Sequence, residues 1–325
     1  MTCRFGRWVP YPVAAGAAAL ACAAAPLGAV PPAAATAGAA PRSQVCQSAR
    51  HPKTAAKMSR GILDAVRDRR GQTPAVAVRV DDPSRGINCW LHVRRHFDAA
   101  SVVKTIILGA LLRKAHTEHR WLTRRQRNLA WQMITESDND AATALWNDVG
   151  MYRLHRFLHL TGMGETRLSP AAWGMTRITA HDETVLLQHL LLPNPVLATR
   201  ARRYELWLMA RVIPAERWGV TAGAPDDFTA HVKNGWAPLP SWGSPWWINS
   251  TGCFTHPGKD YTIVVLTGGN ENAATGIRTI EDIAFGINRD LDPGAGAVVP
   301  YATPNPSWAR PDEPVPAPSP AGRGT

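Results

Sequence analysis

What the 325-residue sequence has little of bounds its function first. Lysine is scarce, and arginine carries most of the 36 basic charges. There are five cysteines, none spaced as Cys-x-x-Cys or set among histidines at zinc-ligand distances, so no metal site is expected. No glycine-rich loop sits between a strand-like and a helix-like run, which argues against nucleotide binding; no cofactor is expected either. No segment repeats at a fixed period, which argues against a solenoid. Beyond the N-terminus, no apolar run is long enough to span a bilayer.

What is present can fold. Hydrophobic residues make up 45% of the chain and charged residues 19%, enough apolar content for a packed core. The formal net charge of +11 implies attraction to anionic surfaces such as wall polymers, lipid head groups or nucleic acid. The first forty residues read as a secretory signal. Arg4 and Arg7 give a basic start, an apolar run covers 13–30, and Ala35, Ala39 and Ala40 offer cleavage sites. Ala19-Leu20-Ala21-Cys22 is a faint lipoprotein-type site with its leucine one place too late. Loss of Arg4 and Arg7 takes the charge from +11 to +9. A secreted or cell-envelope location is therefore expected, and it permits one bridge among Cys46, Cys89 and Cys253, a pair the sequence does not choose. Residues 291–325 are rich in proline and read as a flexible tail, which leaves 41–290 as the folded domain.

Periodicity divides that domain. Residues 55–70 have helical spacing of Met58, Ile62, Leu63 and Val66, with Gly71 as a stop. Runs 74–80 and 87–94 read as strands joined by a turn at Asp81-Asp82-Pro83-Ser84. A block of helices is expected over 101–115, 129–145, 152–161, 179–192 and 196–212. Strands follow at 230–236, 246–254 and 260–267, then a helix over 275–287. The fold class is therefore α+β, a mixed α/β sandwich. An antiparallel sheet of about five strands comes from both chain ends, with an all-helical region inserted.

Three short stretches carry chemistry. Ser101-Val102-Val103-Lys104 opens an apolar helix, where residues three apart share a face, so Lys104 projects beside Ser101. A serine in a first turn feels the positive end of the helix dipole, and a lysine among Val103, Ile106 and Ile107 is desolvated toward neutrality. Ser137-Asp138-Asn139 follows inside a helical stretch, with Asp138 suited to the helix end. Lys233-Asn234-Gly235-Trp236 lies on a late strand, where glycine permits close approach to the backbone. Trp236, Trp242, Trp246 and Trp247 cluster there, at least two of them suited to the core.

In this order the three stretches match the set S-x-x-K, S-D-N and K-T-G, and the chain resembles the serine β-lactamase and penicillin-binding-protein superfamily, nearest to class A. Met133-Ile134-Thr135-Glu136 and Thr179-Ala180-His181-Asp182 are similar to its flanking patterns. The resemblance implies Ser101 as acyl-accepting nucleophile and Lys104 as its proton acceptor or as a residue that orients that acceptor. It implies that Ser137 relays a proton to the leaving nitrogen and that Asn139 holds the substrate amide and Lys104. Lys233 would supply positive charge, Asn234 and Gly235 would bind substrate, and the N–H groups of Ser101 and Trp236 would form the oxyanion hole.

Two departures stand out. Asn234 replaces the family's threonine or serine. Residues 166–175 contain no glutamate where class A enzymes keep their deacylating base; Glu165, just upstream, is a weak substitute. The expected function is an exported serine hydrolase that acylates through Ser101 and releases β-lactams slowly. The alternative is a non-hydrolytic envelope protein that binds peptidoglycan peptides or anionic wall polymers. A small-molecule or peptidoglycan-peptide substrate is expected of a monomer able to associate with the anionic envelope, with no nucleic-acid partner.

Overall fold

Alternate residues of the central strands face opposite layers, and both layers are apolar. In the second strand Ala75 and Ala77 face one core while Val76, Val78 and Val80 face the other. Val264 and Leu266 are divided from Ile263 and Val265 in the same way. A strand buried on both faces reads as a near-continuous apolar run, and that is what these segments show.

The computed structural model describes residues 44–238 and 246–302. In chain order these form β1 (Cys46–Gln47), α1 (Pro52–Asp68), β2 (Ala75–Asp82), β3 (Ile87–Leu91) and β4 (Phe97–Asp98). A 3₁₀ turn at Ala100–Val102 leads into α2 (Val103–Thr117), α3 (Arg124–Thr135), α4 (Asn139–Val149) and α5 (Met151–Thr161). A second such turn, Trp173–Met175, precedes β5 (Arg177–Ile178), α6 (Ala180–Leu191) and α7 (Thr199–Met209). A third, Pro214–Glu216, precedes β6 (Thr229–Ala237), β7 (Trp246–Thr255), β8 (Tyr261–Asn270) and α8 (Ala273–Leu291).

The main sheet has the order β1-β3-β2-β8-β7-β6, with every pair antiparallel. Strands from both chain ends thus share one sheet, as the sequence predicts. The α+β expectation holds, with a sixth strand, β1, added at the edge. Cys46 pairs with Cys89 across β1 and β3 and is disulfide-bonded to it; Cys253 is free and buried. Helices α1 and α8 contribute Met58, Ile62, Ile277, Ile280 and Ile287 to one core. The inserted helical region, centred on α2, builds the other. A small second sheet pairs β4 with β5 and ties the entry to α2 to the segment before α6.

Two boundaries differ from the sequence reading. The single helix expected over 129–145 is two helices, because Ser137 adopts φ +55 and Asp138 caps α4 by accepting from the N–H of Ala141 at 2.6 Å. The break turns the Ser137 side chain out of the helical register. The segment after α8, expected to be flexible, is docked through residue 302. Gly223 donates to Val299, Val299 donates to Ala224, and Tyr301 stacks on Phe285. The expected signal segment and the rest of the tail lie outside the described residues, as does Trp242. Among the described residues no helix is long and apolar enough to cross a membrane.

Candidate active site

Ser101 sits in the middle of the 3₁₀ turn that feeds α2, rather than in the α-helix itself. Ala100, just before it, has φ +47, a conformation that costs a non-glycine residue on the order of 1 kcal/mol or more and persists only where surroundings enforce it. Strand β6 supplies part of that enforcement. A Cβ at Gly235 would lie 2.6 Å from the carbonyl oxygen of Ala99 and 2.8 Å from the nitrogen of Ser101. Glycine here therefore admits the serine-bearing turn to the strand backbone. From β7, the Asn249 amide donates to the Asp98 carbonyl at 2.8 Å and closes the same seam.

The second and third motifs meet around Ser137. Lys104 Nζ, wholly buried, donates to the Ser137 carbonyl (2.5 Å), the Ser137 hydroxyl (3.2 Å) and Asn139 Oδ1 (2.8 Å). Lys233 Nζ, also wholly buried, donates to Ser137 Oγ at 2.8 Å and to its neighbour's carbonyl, Asn234, at 2.9 Å. One hydroxyl thus accepts from two lysine side chains. Ser101 and Ser137 stay 9% and 8% exposed, enough to meet solvent. Among the described residues no hydrogen bond joins Ser101 to Lys104. The lysine's donors are spent on the second motif, not on the hydroxyl three positions before it.

A residue that the sequence reading missed completes the cluster. Glu216, at the end of the Pro214–Glu216 turn, lies with Oε2 3.7 Å from Lys233 Nζ. Burial raises its carboxyl above the ordinary range, against the opposing pull of Lys233 and then Lys104. Burial lowers Lys104 well below the usual lysine range, and Lys233 lowers it further; Glu216 and Asp138 pull the other way. Lys233 is lowered by burial and held up by Glu216. Glu216 belongs to none of the motifs. Its placement comes from Asn234, whose amide donates to the carbonyls of Glu216 (2.7 Å) and Trp218 (2.9 Å).

The sequence reading gives Asn234 a substrate-binding role, but its amide is turned away from Ser101 and Ser137 and engaged with backbone carbonyls. Strand alternation puts Lys233 and Gly235 on the face toward Ser101 and Ser137, and Asn234 on the other, where it staples the turn. Trp236 follows Asn234's face and meets Trp218 edge-on at 6.1 Å. Trp246 and Trp247 are core residues, as expected of at least two of the cluster.

The loop between the second motif and α6 brings an indole to the lysine. Lys104 Nζ lies 5.0 Å from the Trp173 ring centroid, and Trp173 Nε1 donates to Thr143 Oγ1 at 3.1 Å. Glu165 is turned elsewhere: it pairs with Arg94, and Thr179 donates to its Oε2. Glu165, His181 and Asp182 bring possible ligand atoms within 4.8 Å of one another. One Asp182 oxygen already accepts from the N–H groups of Glu165 and Thr166 and from the Thr166 hydroxyl, so that group serves as a loop clamp.

Solved structures of similar fold include a class A β-lactamase from Bacteroides cellulosilyticus, 18% identical, with a TM-score of 0.62 over 73% of this chain and 98% of that one. A β-lactamase from Sphaerobacter thermophilus is 20% identical, with a TM-score of 0.62 over 71% and 97%. A β-lactamase from Xanthomonas campestris is 19% identical, with a TM-score of 0.62 over 72% and 98%. No curated protein matches the chain. The sequence model of the beta-lactamase enzyme family matches residues 122–290, a span that holds Ser137, Asn139 and Lys233 but begins after Ser101 and Lys104. That span is more than half of the chain, and with the shared fold around it, the chain belongs to the beta-lactamase enzyme family.

Proposed function

We propose that the protein is an exported serine hydrolase that works through an acyl-enzyme on Ser101. The observation that carries this reading is the convergence of Lys104, Ser137 and Lys233 beside the strained turn that bears Ser101. A purely structural cluster has no need to bury two lysines on one serine hydroxyl, since each buried ammonium is costly. The lowered proton affinity of Lys104 suits it to accept the Ser101 proton. As the serine oxygen bonds to the substrate carbonyl carbon, that proton passes through Ser137 to the leaving nitrogen, and the carbon–nitrogen bond breaks. Asn139 holds Lys104 and the substrate amide, while the N–H groups of Ser101 and Trp236 receive the oxyanion. Hydrogen bonds of this kind are often long before substrate arrives and tighten in the complex, which accommodates a Ser101 hydroxyl not yet bonded to Lys104.

Among the described residues of the 166–176 loop, no equivalent base for the second half-reaction stands beside Lys104. The loop at Lys104 presents Trp173, and Glu165 is engaged with Arg94 and Thr179. Covalent catalysis needs both steps, so a β-lactam adduct is released slowly. Export is supported by the N-terminal sequence and by the Cys46–Cys89 bridge. Intact-protein mass spectrometry after prolonged exposure to penicillin tests the reading. A one-to-one adduct that outlasts removal of free drug, and is absent from Ser101→Ala, is expected. Turnover of many molecules per second with no trapped adduct contradicts slow release.

The missing hydrogen bond between Ser101 and Lys104 favours a second reading, a non-hydrolytic envelope protein that binds wall peptides or anionic polymers. A folded wild type that never forms a Ser101-dependent adduct with any acyl donor supports it.

A further inference from the structure

The positive corner of the site already contains a carboxylate. Lys233, the wholly buried ammonium that donates to Ser137, is the natural seat for an anion on an incoming substrate. Glu216 lies 3.7 Å from that ammonium, with its side chain 12% exposed toward solvent. Its Oε2 is buried and, among the described residues, reaches Lys233 at ion-pair rather than hydrogen-bond distance. Its backbone is pinned by Asn234, so the carboxylate reaches the corner from a fixed turn rather than a free loop. Asp138, which caps α4 next to Ser137, adds a second negative charge close enough to act on Lys104. Two lysines thus face two carboxylates. Once Lys104 gives up its charge to act as a base, the balance of these four groups turns negative, and a substrate anion meets like charge at short range.

We propose that Glu216 is a specificity-determining residue: by occupying the anion seat at Lys233 and Ser137, it selects acyl donors whose leaving side is neutral or cationic. Carboxylate-bearing donors, among them β-lactam acids and peptides ending in a free carboxylate, acylate Ser101 slowly. Uncharged esters and amides of the same shape acylate it faster. This inference rests on the acyl-enzyme reading and sharpens its substrate class.

The test compares one scaffold in two charge states. Benzylpenicillin and its methyl ester are each mixed with the full-length protein, and the rate of adduct formation is followed by intact mass. A fluorophosphonate probe is run in parallel, with Ser101→Ala as the control. The expected result is an ester that acylates at least tenfold faster than the acid in the wild type. In Glu216→Gln that preference falls at least tenfold, because the competing negative charge at Lys233 is removed. The wild-type ratio needs no variant, so a Glu216→Gln protein that fails to fold leaves the decisive measurement in place. The inference is overturned by an acid that reacts as fast as the ester, by a preference unchanged in folded Glu216→Gln, or by a probe-reactive Ser101 that neither compound acylates. Failure of the probe to label Ser101 at all overturns the acyl-enzyme reading instead.

Discussion

The two walls that approach Lys104 are built on opposite principles. On the side of β6, charge is concentrated: Lys233, Glu216 and the Ser137 hydroxyl form an ion cluster within a few hydrogen bonds of the lysine. On the side of the 166–176 loop, Trp173 offers an aromatic face and a single hydrogen bond to Thr143. Both walls are well buried, so burial does not explain the difference. The charged wall can move protons and set the charge of an incoming group. The aromatic wall can fill space and exclude water, but it has no group that activates a water molecule. Under the proposed acyl-enzyme reading, acylation and deacylation make separate demands on these two unequal walls.

The largest expected effect lies on the charged wall. Lys104→Met should lower the rate of Ser101 labelling by about 10³-fold, the usual scale for loss of a positioned general base. Circular dichroism on the same sample checks that the fold is kept. A loss under tenfold would mean that Lys104 only packs. Next comes the seam between Gly235 and the serine turn. Gly235→Ala forces a methyl group to within 2.6 Å of the Ala99 oxygen and should cut labelling about 10²-fold by displacing Ser101. A wild-type rate would show that the turn can yield without consequence.

The aromatic wall should respond in stability more than in rate. Trp173→Ala removes a buried indole and should cost about 3–5 kcal/mol in urea unfolding. Labelling of the variant that remains folded should fall less than tenfold. A collapse of labelling as large as that of Lys104→Met would erase the contrast between the walls.

The smallest effect is in the pH profile. Labelling should rise with pH as Lys104 loses its proton, with an inflection well below the usual lysine range, because burial and Lys233 disfavour the charged amine. Glu216 favours the protonated form, so Glu216→Gln should move that inflection to lower pH. A shift to higher pH would contradict the assigned electrostatics.

Much of this arrangement was legible in the sequence, and the particulars show why. The strands at 75–82, 246–255 and 261–270 announce themselves because they are buried on both faces. Ser101, Lys104, Ser137 and Lys233 could be picked out because short-range spacing encodes them. What could not be read depends on tertiary contact. The break at Ser137 hides in a continuous helical pattern until Lys104 holds its carbonyl. Asn234 sits in the third motif, yet strand alternation turns it away from the cleft. Glu216 has no local signature, since only the hydrogen bonds from Asn234 carry its turn to Lys233. The docking of Val299 and Tyr301 was masked by the prolines around them.

The proposed reactivity of the Ser101 hydroxyl rests on the cluster behind it. Tandem mass spectrometry of the fluorophosphonate-treated protein addresses this most directly. One modified site is expected, on the Ser101 peptide, with Ser137 unmodified although it touches both lysines. A folded protein that carries the label on another serine, or carries none, would contradict it.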